Sequence, residues 1–271
     1  MITRVVFNKK GGVGKTTITC NLAAMSAVAG KKTLVIDLDP QANATQYLLN
    51  EKYGDSQTGG RTIMDFFKRS LDSGNGFGFN PFFQHLNKNE NEQTSFIHET
   101  VFDNLFIIPS HPDLHEIETQ LVNKHKIYKL KEMVESFSDF DAVYIDTPPA
   151  MNFFSLSALI AASHCLIPFD CDAFSKDAIF EVGQHIAGIQ NDHNSDLVIE
   201  GVVVNQFMSR ANHPKQIVSG LKEDGVPVLS TMLSSSVKVR ESHHSSMPLV
   251  FLSPEHKLTQ EFQALYDEIS G

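Results

Sequence analysis

The chain has 271 residues, of which 41% are hydrophobic and 20% are charged. This length and apolar content predict one large domain with a full core. The formal net charge of −10 excludes a protein that binds nucleic acid over its whole surface, so any DNA contact needs a local basic patch. The 3 cysteines form no CxxC pair, which argues against zinc or iron–sulfur sites and favours a reducing cytosol. No apolar run approaches about 18 residues, so no membrane span is expected, and the first residues predict a strand rather than a signal peptide.

The stretch at residues 9–17, KKGGVGKTT, lies between a predicted strand and a predicted helix. The strand is the apolar run Val5-Val6-Phe7, and the helix continues from Ile18. Strand, glycine-rich turn and helix together are the context of a phosphate-binding loop. The glycines let the backbone N–H groups form a nest for phosphate oxygens, and the helix adds the positive end of its dipole. Lys15 can then reach the β- and γ-phosphates, and the Thr16 hydroxyl can hold Mg²⁺.

The loop differs from an ordinary P-loop in its first residues. Lys9 stands where that pattern has its first Gly, and a second lysine, Lys10, precedes the Gly-Gly pair. The string resembles the deviant Walker A motif of the ParA/MinD family of ATPases, whose early lysine contacts the nucleotide of the other subunit. The resemblance implies an ATP-dependent homodimer in which Lys10, together with Lys15, has a catalytic role. A cation delivered in trans neutralises charge on the transferring phosphoryl group. The implied ATP-binding residues of the loop are Lys10, Gly11, Gly12, Val13, Gly14, Lys15, Thr16 and Thr17.

A second buried strand is predicted at residues 33–36, followed by the string DLDPQANAT at residues 37–45. Carboxylates at the carboxyl end of a parallel strand face the ligand crevice of an open α/β sheet. The string resembles the family's DxDPQGNAT stretch, with Ala42 in place of Gly. The resemblance implies that Asp39 orients or activates the attacking water by accepting its hydrogen bond, and that Asp37 supports the Mg²⁺ region.

Residues 54–93 are the least regular part of the chain and are rich in Gly and Asn. A short amphipathic helix is predicted within them, at residues 62–71. A long loop that contains buried-type residues is either functional or disordered. Two interpretations stay open: an insertion near the dimer edge or cargo surface, and a loop that packs its own Phe residues onto the domain.

Another strand at residues 105–110 resumes the sheet, and helices are predicted at residues 114–121 and 127–137. The apolar run at residues 142–145 then ends at Asp146. An apolar strand that ends in Asp near a P-loop is a Walker B element, in which the carboxylate binds Mg²⁺ directly or through water. The prolines that follow resemble the family's DxPP switch. The predicted metal-binding residues are Thr16, Asp37 and Asp146.

The remaining elements are a strand at residues 165–169, a helix at residues 175–190 and a strand at residues 198–204 that ends at Asn205. The resemblance implies that Asn205 contacts adenine, since an amide can pair with both its donor and acceptor edges. A turn-forming Asn is an open alternative. Residues 258–269 predict an amphipathic C-terminal helix.

The stretch at residues 230–240 resembles the family's TxIPRNVRxSE pattern, whose basic residues are implicated in DNA binding. Ser234 and Ser235 replace the Pro-Arg, Lys238 stands at the Arg of VR, and Arg240 is an additional cation. The resemblance therefore implies a DNA-binding patch that is weaker than the pattern, and a solvated surface is the alternative. The candidate DNA-binding residues are Lys238 and Arg240, with Lys215 or Arg210 assisting.

The alternation of strands and helices predicts an α/β fold, a mostly parallel twisted sheet with helices on both faces. We expect a single P-loop ATPase domain over residues 1–271, with the irregular insertion at about residues 54–93. The resemblance covers most of the chain and implies a ParA-type ATPase, most like ParA/Soj partition ATPases without an N-terminal DNA-reading domain. ATP with Mg²⁺ would close a dimer, the dimer would bind DNA nonspecifically, and a ParB-like or cargo-adaptor activator would stimulate slow hydrolysis. The expected role is partitioning or positioning of a plasmid, chromosome or other cargo, in the cytoplasm and on the nucleoid.

Three other classes of protein share such a P-loop. A MinD-like spatial regulator needs a cationic amphipathic C-terminal tail, and residues 258–271 contain no Lys or Arg, so no membrane partner is expected. A nitrogenase-type reductase needs cysteines that bridge a cluster between subunits; Cys20 lies in the first predicted helix and Cys165 and Cys171 flank a strand, which excludes it. A small-molecule P-loop kinase or ligase stays open but leaves Lys10 without a role.

Overall fold

The computed structural model describes residues 1–49, 61–72, 96–171, 176–208 and 212–270. Within these residues a single sheet contains seven strands. They are β1 (Ile2–Val6), β2 (Thr33–Asp37), β3 (His98–Glu99), β4 (Leu105–Ile108), β5 (Ala142–Asp146), β6 (His164–Asp170) and β7 (Val198–Asn205). Their order in the sheet is β3-β4-β2-β5-β1-β6-β7. Only the short β3 runs antiparallel to its neighbour, and the other pairs are parallel. The prediction of a mostly parallel sheet is confirmed.

Helices connect the strands and cover both faces of the sheet. They are α1 (Lys15–Val28), α2 (Asn43–Leu49), α3 (Ile63–Asp72), α4 (Glu118–Asn123), α5 (Lys129–Glu135), α6 (Phe153–Ala161), α7 (Lys176–Asp192), α8 (Asn212–Glu223), α9 (Lys238–His244), α10 (Leu249–Leu252) and α11 (Lys257–Ser270). None of the helices in these ranges has the length and apolar character needed to cross a bilayer.

The central strands are apolar throughout because both of their faces are covered. Successive side chains of a strand point to opposite faces, so Val5 of β1 joins one core cluster and Val6 joins the other. The first cluster includes buried residues of α3, α6 and α7, and the second includes those of α1, α2 and α11. Continuous apolar strands are typical of parallel sheets that are buried on both sides.

The predicted helix at residues 62–71 is confirmed as α3, and it is part of the core. Ile63, Met64, Phe67 and Leu71 are all buried in the cluster that covers one face of the sheet. The irregular segment predicted at residues 54–93 is therefore interrupted by a structural helix. The rest of that segment, residues 54–60 and 73–93, lies outside the described residues, and both interpretations of it stay predictions.

The single helix predicted at residues 114–121 is wrong in form. The chain makes a 3₁₀ helix over Pro112–Ile117, and α4 begins only at Glu118. The imidazole of His111 accepts a hydrogen bond from the N–H of Asp113, and Pro112 fixes the first helical position. These two features start a tight turn earlier than the apolar pattern indicates.

The strand order puts the loop after β1 at the ligand-binding edge of the sheet. β1 lies between β5 and β6. The chain passes from β1 to β2, on the β5 side of β1, and later adds β6 and β7 on the opposite side. In open α/β sheets, ligands bind outside the carboxyl ends of the strands at this point of reversal. The predicted phosphate-binding loop and the aspartates that end β2 and β5 all lie at that edge.

Candidate nucleotide-binding site

The turn between β1 and α1 has the backbone geometry of a phosphate-binding loop. Gly12 and Gly14 have φ angles of 79° and 91°, a left-handed region in which a side chain is strained. Gly14 is the residue before α1, and no side chain caps the first turn of that helix. The unpaired N–H groups of this turn and the helix dipole therefore favour an anion.

Lys15 lies inside this turn rather than on the surface. Its side chain is only 7% exposed, and Nζ donates a 2.9 Å hydrogen bond to the carbonyl oxygen of Lys10. Burial lowers the pKa of Lys15, and the carboxylates of Asp146 and Asp39 oppose that shift. The ammonium group is thus held within the loop, where the predicted contact with β- and γ-phosphates requires it.

Thr16 and Asp146 join the P-loop to the end of β5. The Thr16 hydroxyl donates a 2.7 Å hydrogen bond to Oδ2 of Asp146, which is fully buried. Burial raises the pKa of Asp146 well above its usual value, and the neighbouring charge of Asp37 raises it further. A hydroxyl and a carboxylate side by side are hard oxygen ligands of the kind that Mg²⁺ prefers, so these residues fit the predicted cation.

The Asp37 carboxylate is bonded to the start of α2. Its Oδ1 accepts from the N–H of Asp39 at 3.0 Å, and its Oδ2 accepts from both the N–H and the hydroxyl of Thr45, at 2.8 and 2.7 Å. Burial raises the pKa of Asp37 to about 6, while the bonds from Thr45 oppose the shift. Asp37 therefore fixes the stretch after β2, and its support of the Mg²⁺ region stays a prediction.

Asp39 lies two residues after Asp37, near the charge of Lys15. Its Oδ1 accepts a 2.9 Å hydrogen bond from the N–H of Gln41, and burial raises the pKa of Asp39. Ala42 follows with a φ of 53°. This left-handed conformation explains why the family pattern has Gly at that position.

Asn205, at the end of β7, supports the P-loop from the side. Its Nδ2 donates to the carbonyl oxygen of Val13 at 2.9 Å. A Cβ atom on Gly14 would lie 2.2 Å from the same Nδ2, so the close approach of this amide requires glycine there. Next to it, Nε2 of Gln206 donates to the carbonyl oxygen of Gly12 at 3.1 Å.

A cavity of about 370 Å³ opens beside the P-loop. Gly14, Thr17 and Asn205 form one side of it, and residues of the stretch before and within α9, including Val237 and Arg240, form another. Asn205 thus lies at the wall of a cavity next to the loop, as a base-contacting residue must. Its contact with adenine stays a prediction.

Lys9 and Lys10 differ in their surroundings. Nζ of Lys9 contacts the Glu181 carboxylate and Nε2 of His185, both on α7. The N–H of Lys10 donates to Oδ1 of Asn8 at 3.0 Å, and its side chain is half-buried. The role of Lys10 in the nucleotide site of a second subunit stays a prediction.

The candidate DNA-binding cations differ in their exposure and in their charged neighbours. Lys238 is ion-paired with Glu241 one turn further along α9, whereas Arg240 is exposed and lines the cavity beside the P-loop. Lys215 is exposed on α8. Arg210 lies outside the described residues. None of these residues is tested as a DNA contact, and all four stay predictions.

Sequence reasoning missed three residues of this site: Asn8, Gln206 and His243. The side chain of Asn8 connects the N–H of Lys10 to the carbonyl oxygen of Pro168 on β6. His243 of α9 is hydrogen-bonded to the Thr17 hydroxyl at 2.9 Å. Asn8 lies two residues after the end of β1 and Gln206 lies one residue after the end of β7, and these positions could have indicated them. No signal in the sequence indicates His243.

A larger cavity, of about 620 Å³, lies elsewhere, between α6, α7 and the connection from α4 to α5. The described residues that line this cavity are mostly apolar, and none of them belongs to the P-loop or to the strand-end aspartates. The convergent polar groups are at the smaller cavity, which we therefore take as the candidate nucleotide site.

Comparison with known proteins places the chain in a family. A family model described as an AAA domain matches residues 1–199. The chromosome partitioning protein ParA of Myxococcus xanthus is 29% identical over 267 residues, which cover 97% of this chain and 86% of that protein.

Two solved structures share the fold. A variant of McdA from Cyanothece in complex with ATP has a TM-score of 0.80 and 21% identity, over 100% of this chain and 96% of that one. Cobyrinic acid a,c-diamide synthase from Mycobacterium smegmatis, solved with an ATP analogue and magnesium, has a TM-score of 0.77 and 22% identity, over 98% and 93% of the two chains. At these identities the likeness establishes the fold alone. The family model matches most of this chain, and the likeness to ParA is nearly full-length. The chain therefore belongs to the AAA domain family, in the ParA/MinD group of P-loop ATPases.

Proposed function

We propose that this protein is a ParA-type ATPase that dimerises on ATP, binds DNA without sequence preference and partitions or positions a cargo. The cargo would be a plasmid, a chromosome or another large assembly, and a ParB-like protein or cargo adaptor would stimulate slow hydrolysis. The observation that carries the proposal is Lys10, the second lysine of the P-loop. Its backbone carbonyl holds Lys15 within the loop at 2.9 Å, so its own side chain starts at the rim of the nucleotide site.

ATP and Mg²⁺ are the ligands that the site fits. The uncapped first turn of α1 and the buried Lys15 supply donors and a cation for phosphates. Mg²⁺, when bound, neutralises the charge that develops on the phosphate oxygens. Thr16 and Asp146 would hold it, and Asp39, close to the charge of Lys15, would orient the attacking water by accepting its hydrogen bond.

The DNA-binding step depends on a few cations in an acidic chain. With a net charge of −10, one pair of cations per subunit would bind a duplex weakly, so the dimer is needed to double the patch. Lys238 is already paired with Glu241, and duplex phosphate would compete with that carboxylate. Lys215 on α8 is exposed and would assist.

Two alternatives were open from the sequence. A MinD-like regulator would use a C-terminal amphipathic helix at the membrane, but the apolar face of α11 is packed in the core, with Leu258, Phe262 and Leu265 buried. A small-molecule kinase or ligase shares the fold, as the synthase from Mycobacterium smegmatis does. Such an enzyme leaves Lys10 without a role, so neither alternative is favoured.

The test is DNA binding measured by fluorescence anisotropy with two duplexes of unrelated sequence. We expect binding with an ATP analogue, little binding with ADP, and equal affinity for both duplexes. If two cations from each subunit contact phosphates, log affinity should fall with log salt with a slope of about −3 to −4.

A matched pair of variants tests the patch. Lys238→Glu should weaken DNA binding and leave hydrolysis without DNA unchanged. Lys129→Glu is the control, because Lys129 is paired with Glu132 at the same helical spacing, on α5. Equal DNA affinity of both variants would place the patch elsewhere. No DNA binding by the wild-type dimer even at low salt would overturn the proposed DNA-based mechanism.

A further inference from the structure

Four helices meet at a small, partly buried network beside the P-loop. His243 of α9 is hydrogen-bonded through Nε2 to the Thr17 hydroxyl of α1 at 2.9 Å. The same imidazole stacks on the ring of Tyr47 of α2, with centroids 4.3 Å apart and planes at 17°. His243 therefore contacts the nucleotide loop on one edge and the helix that follows Asp39 on one face.

Asn21 and Ser242 complete the network. Nδ2 of Asn21 donates to the carbonyl oxygen of Thr17 at 2.8 Å and to the Tyr47 hydroxyl at 3.2 Å. Oδ1 of Asn21 accepts from the N–H of Leu249, the first residue of α10. The Tyr47 hydroxyl also bonds to the hydroxyl of Ser242, the neighbour of His243. These bonds connect α1, α2, α9 and α10, and they link Thr17 to α9 both directly and through Asn21 and Tyr47.

The network is connected through α2 to the carboxylate of Asp37. Thr45, two residues before Tyr47, donates to the Asp37 carboxylate through both its N–H and its hydroxyl. The chain of contacts thus runs from Asp37 through α2 to His243 and from there to Thr17. It is a contiguous physical path, made of side chains that have discrete partners.

We propose that His243 is a positioning residue: its Nε2–H donates to Thr17 Oγ1 and turns the Thr17 proton toward the nucleotide phosphates. A hydroxyl has one proton and two acceptor lone pairs. When the imidazole donates to the oxygen, the Thr17 proton is free to be donated to an anionic phosphate oxygen. The same contact links α9 to nucleotide binding, because a bound phosphate fixes the Thr17 hydroxyl and with it the imidazole. The proposal rests on the ATP-binding part of the function proposed above and does not depend on DNA binding.

Two substitutions of His243 and a control at His244 separate the hydrogen bond of His243 from its stacking. His243→Phe keeps the stacked ring and loses the donor, His243→Gln keeps an N–H donor and loses the ring, and His244→Phe changes the exposed neighbour on the same helix. We expect ATP affinity to fall about three- to tenfold in His243→Phe, as for the loss of one neutral hydrogen bond. Affinity should stay within about twofold of wild type in His243→Gln and His244→Phe, because the donor is retained in both.

Steady-state kinetics distinguish positioning from structural support. Loss of a contact to phosphate that is present in both the bound and the reacting state raises KM and leaves kcat unchanged. A variant that only loosens the fold would lower the active fraction, and so kcat, together with the melting temperature. His243→Phe with wild-type KM, or His243→Gln with the KM of His243→Phe, would overturn the proposal.

Thr17→Val gives a test that still applies if His243→Phe is poorly folded, and the two variants together form a double-mutant cycle. Thr17→Val removes the hydroxyl that His243 is proposed to orient. If His243 acts through that hydroxyl, Thr17→Val alone should weaken ATP binding at least as much as His243→Phe does, and His243→Phe should add nothing to Thr17→Val. Additive losses in the cycle would overturn the proposal.

Hydrogen exchange reports the link to α9. In wild type, a non-hydrolysable ATP analogue should slow amide exchange in residues 238–244 by about threefold or more. His243→Phe should lose that protection at saturating analogue, and His244→Phe should keep it. Equal protection in wild type and His243→Phe would contradict the link. If wild type binds ATP but not DNA, the proposed function fails and this inference stands. If wild type binds DNA with ATP and His243→Phe behaves as wild type, only this inference fails.

Discussion

Asp37 and Asp146 are direct neighbours in the register of β2 and β5, and neither carboxylate is exposed to solvent. Asp37, at the end of β2, accepts a hydrogen bond from the Thr45 hydroxyl. Asp146, at the end of β5, accepts one from the Thr16 hydroxyl. Burial raises the pKa of both groups. Two adjacent buried carboxylates near a buried lysine are a typical arrangement of a functional site, and the two aspartates have different partners, so their variants should differ.

Asp146→Asn should abolish most Mg²⁺-dependent ATP hydrolysis. An amide can still accept from the Thr16 hydroxyl but has no charge for the cation, so we expect a loss of about 100-fold or more. The control is Asp141→Asn, just before the other end of the same strand, where the carboxylate accepts from the N–H of Lys32. Steady-state hydrolysis measures both. A normal rate in Asp146→Asn would remove Asp146 from the metal site.

Asp39→Ala should bind ATP normally and accumulate the ATP-bound dimer. The substitution removes the group proposed to orient water but leaves Lys15 and the loop glycines in place, so hydrolysis should fall about 100-fold or more. Asp39→Asn keeps an acceptor for the N–H of Gln41 and controls for the local turn. Wild-type turnover by Asp39→Ala would show that another residue holds the water.

Lys10→Ala should bind ATP but dimerise and hydrolyse poorly. A charge supplied in trans contributes on the order of 10³-fold to hydrolysis, and light scattering with a non-hydrolysable analogue measures the dimer. Lys9→Ala is the matched control, because Lys9 is directed to Glu181 and His185 of α7. A full-strength dimer of Lys10→Ala with normal hydrolysis would make Lys10 an ordinary loop lysine.

Ala42→Gly should stabilise the protein. Ala42 has a φ of 53°, which costs a residue with a side chain about 1–2 kcal/mol, and the added freedom of Gly in the unfolded chain offsets about 0.4–1 kcal/mol of that gain. We expect a net gain of about 0.5–1 kcal/mol in the free energy of unfolding. Ala44→Gly, two positions later within α2, should instead destabilise by about 1 kcal/mol. Denaturant unfolding compares the two, and equal losses in both would contradict a strained Ala42.

His243 should make a contribution to stability that is lost as the pH decreases below about 6.5. Burial lowers the pKa of His243 below its usual value of 6.5. The unfolded chain therefore takes up a proton at a higher pH than the folded chain, so stability is lost as the pH falls from 6.5 toward the folded-state pKa. Thermal melts at pH 7 and 5.5 should show a smaller loss in His243→Phe than in wild type or in His244→Phe. An equal loss in all three would mean that His243 titrates normally.

The sequence by itself determined the elements whose chemistry is local. The glycines and lysines of the P-loop are contiguous, and Asp37, Asp39 and Asp146 each follow an apolar run, so spacing alone predicts a strand, a turn and a polar edge. The sequence also shows Ala42 where the family pattern has Gly, but its left-handed conformation was seen only in the structure.

Only the tertiary structure decided how distant segments complete the site. The amide of Asn205 reaches Val13 across 192 positions of sequence, and His243 meets Thr17 across 226. Such contacts depend on strand order and helix packing, and no periodicity or local motif encodes them. For the same reason α3 was not recognised as part of the core: its apolar face was visible in the sequence, but the surface that covers it belongs to α6 and the sheet.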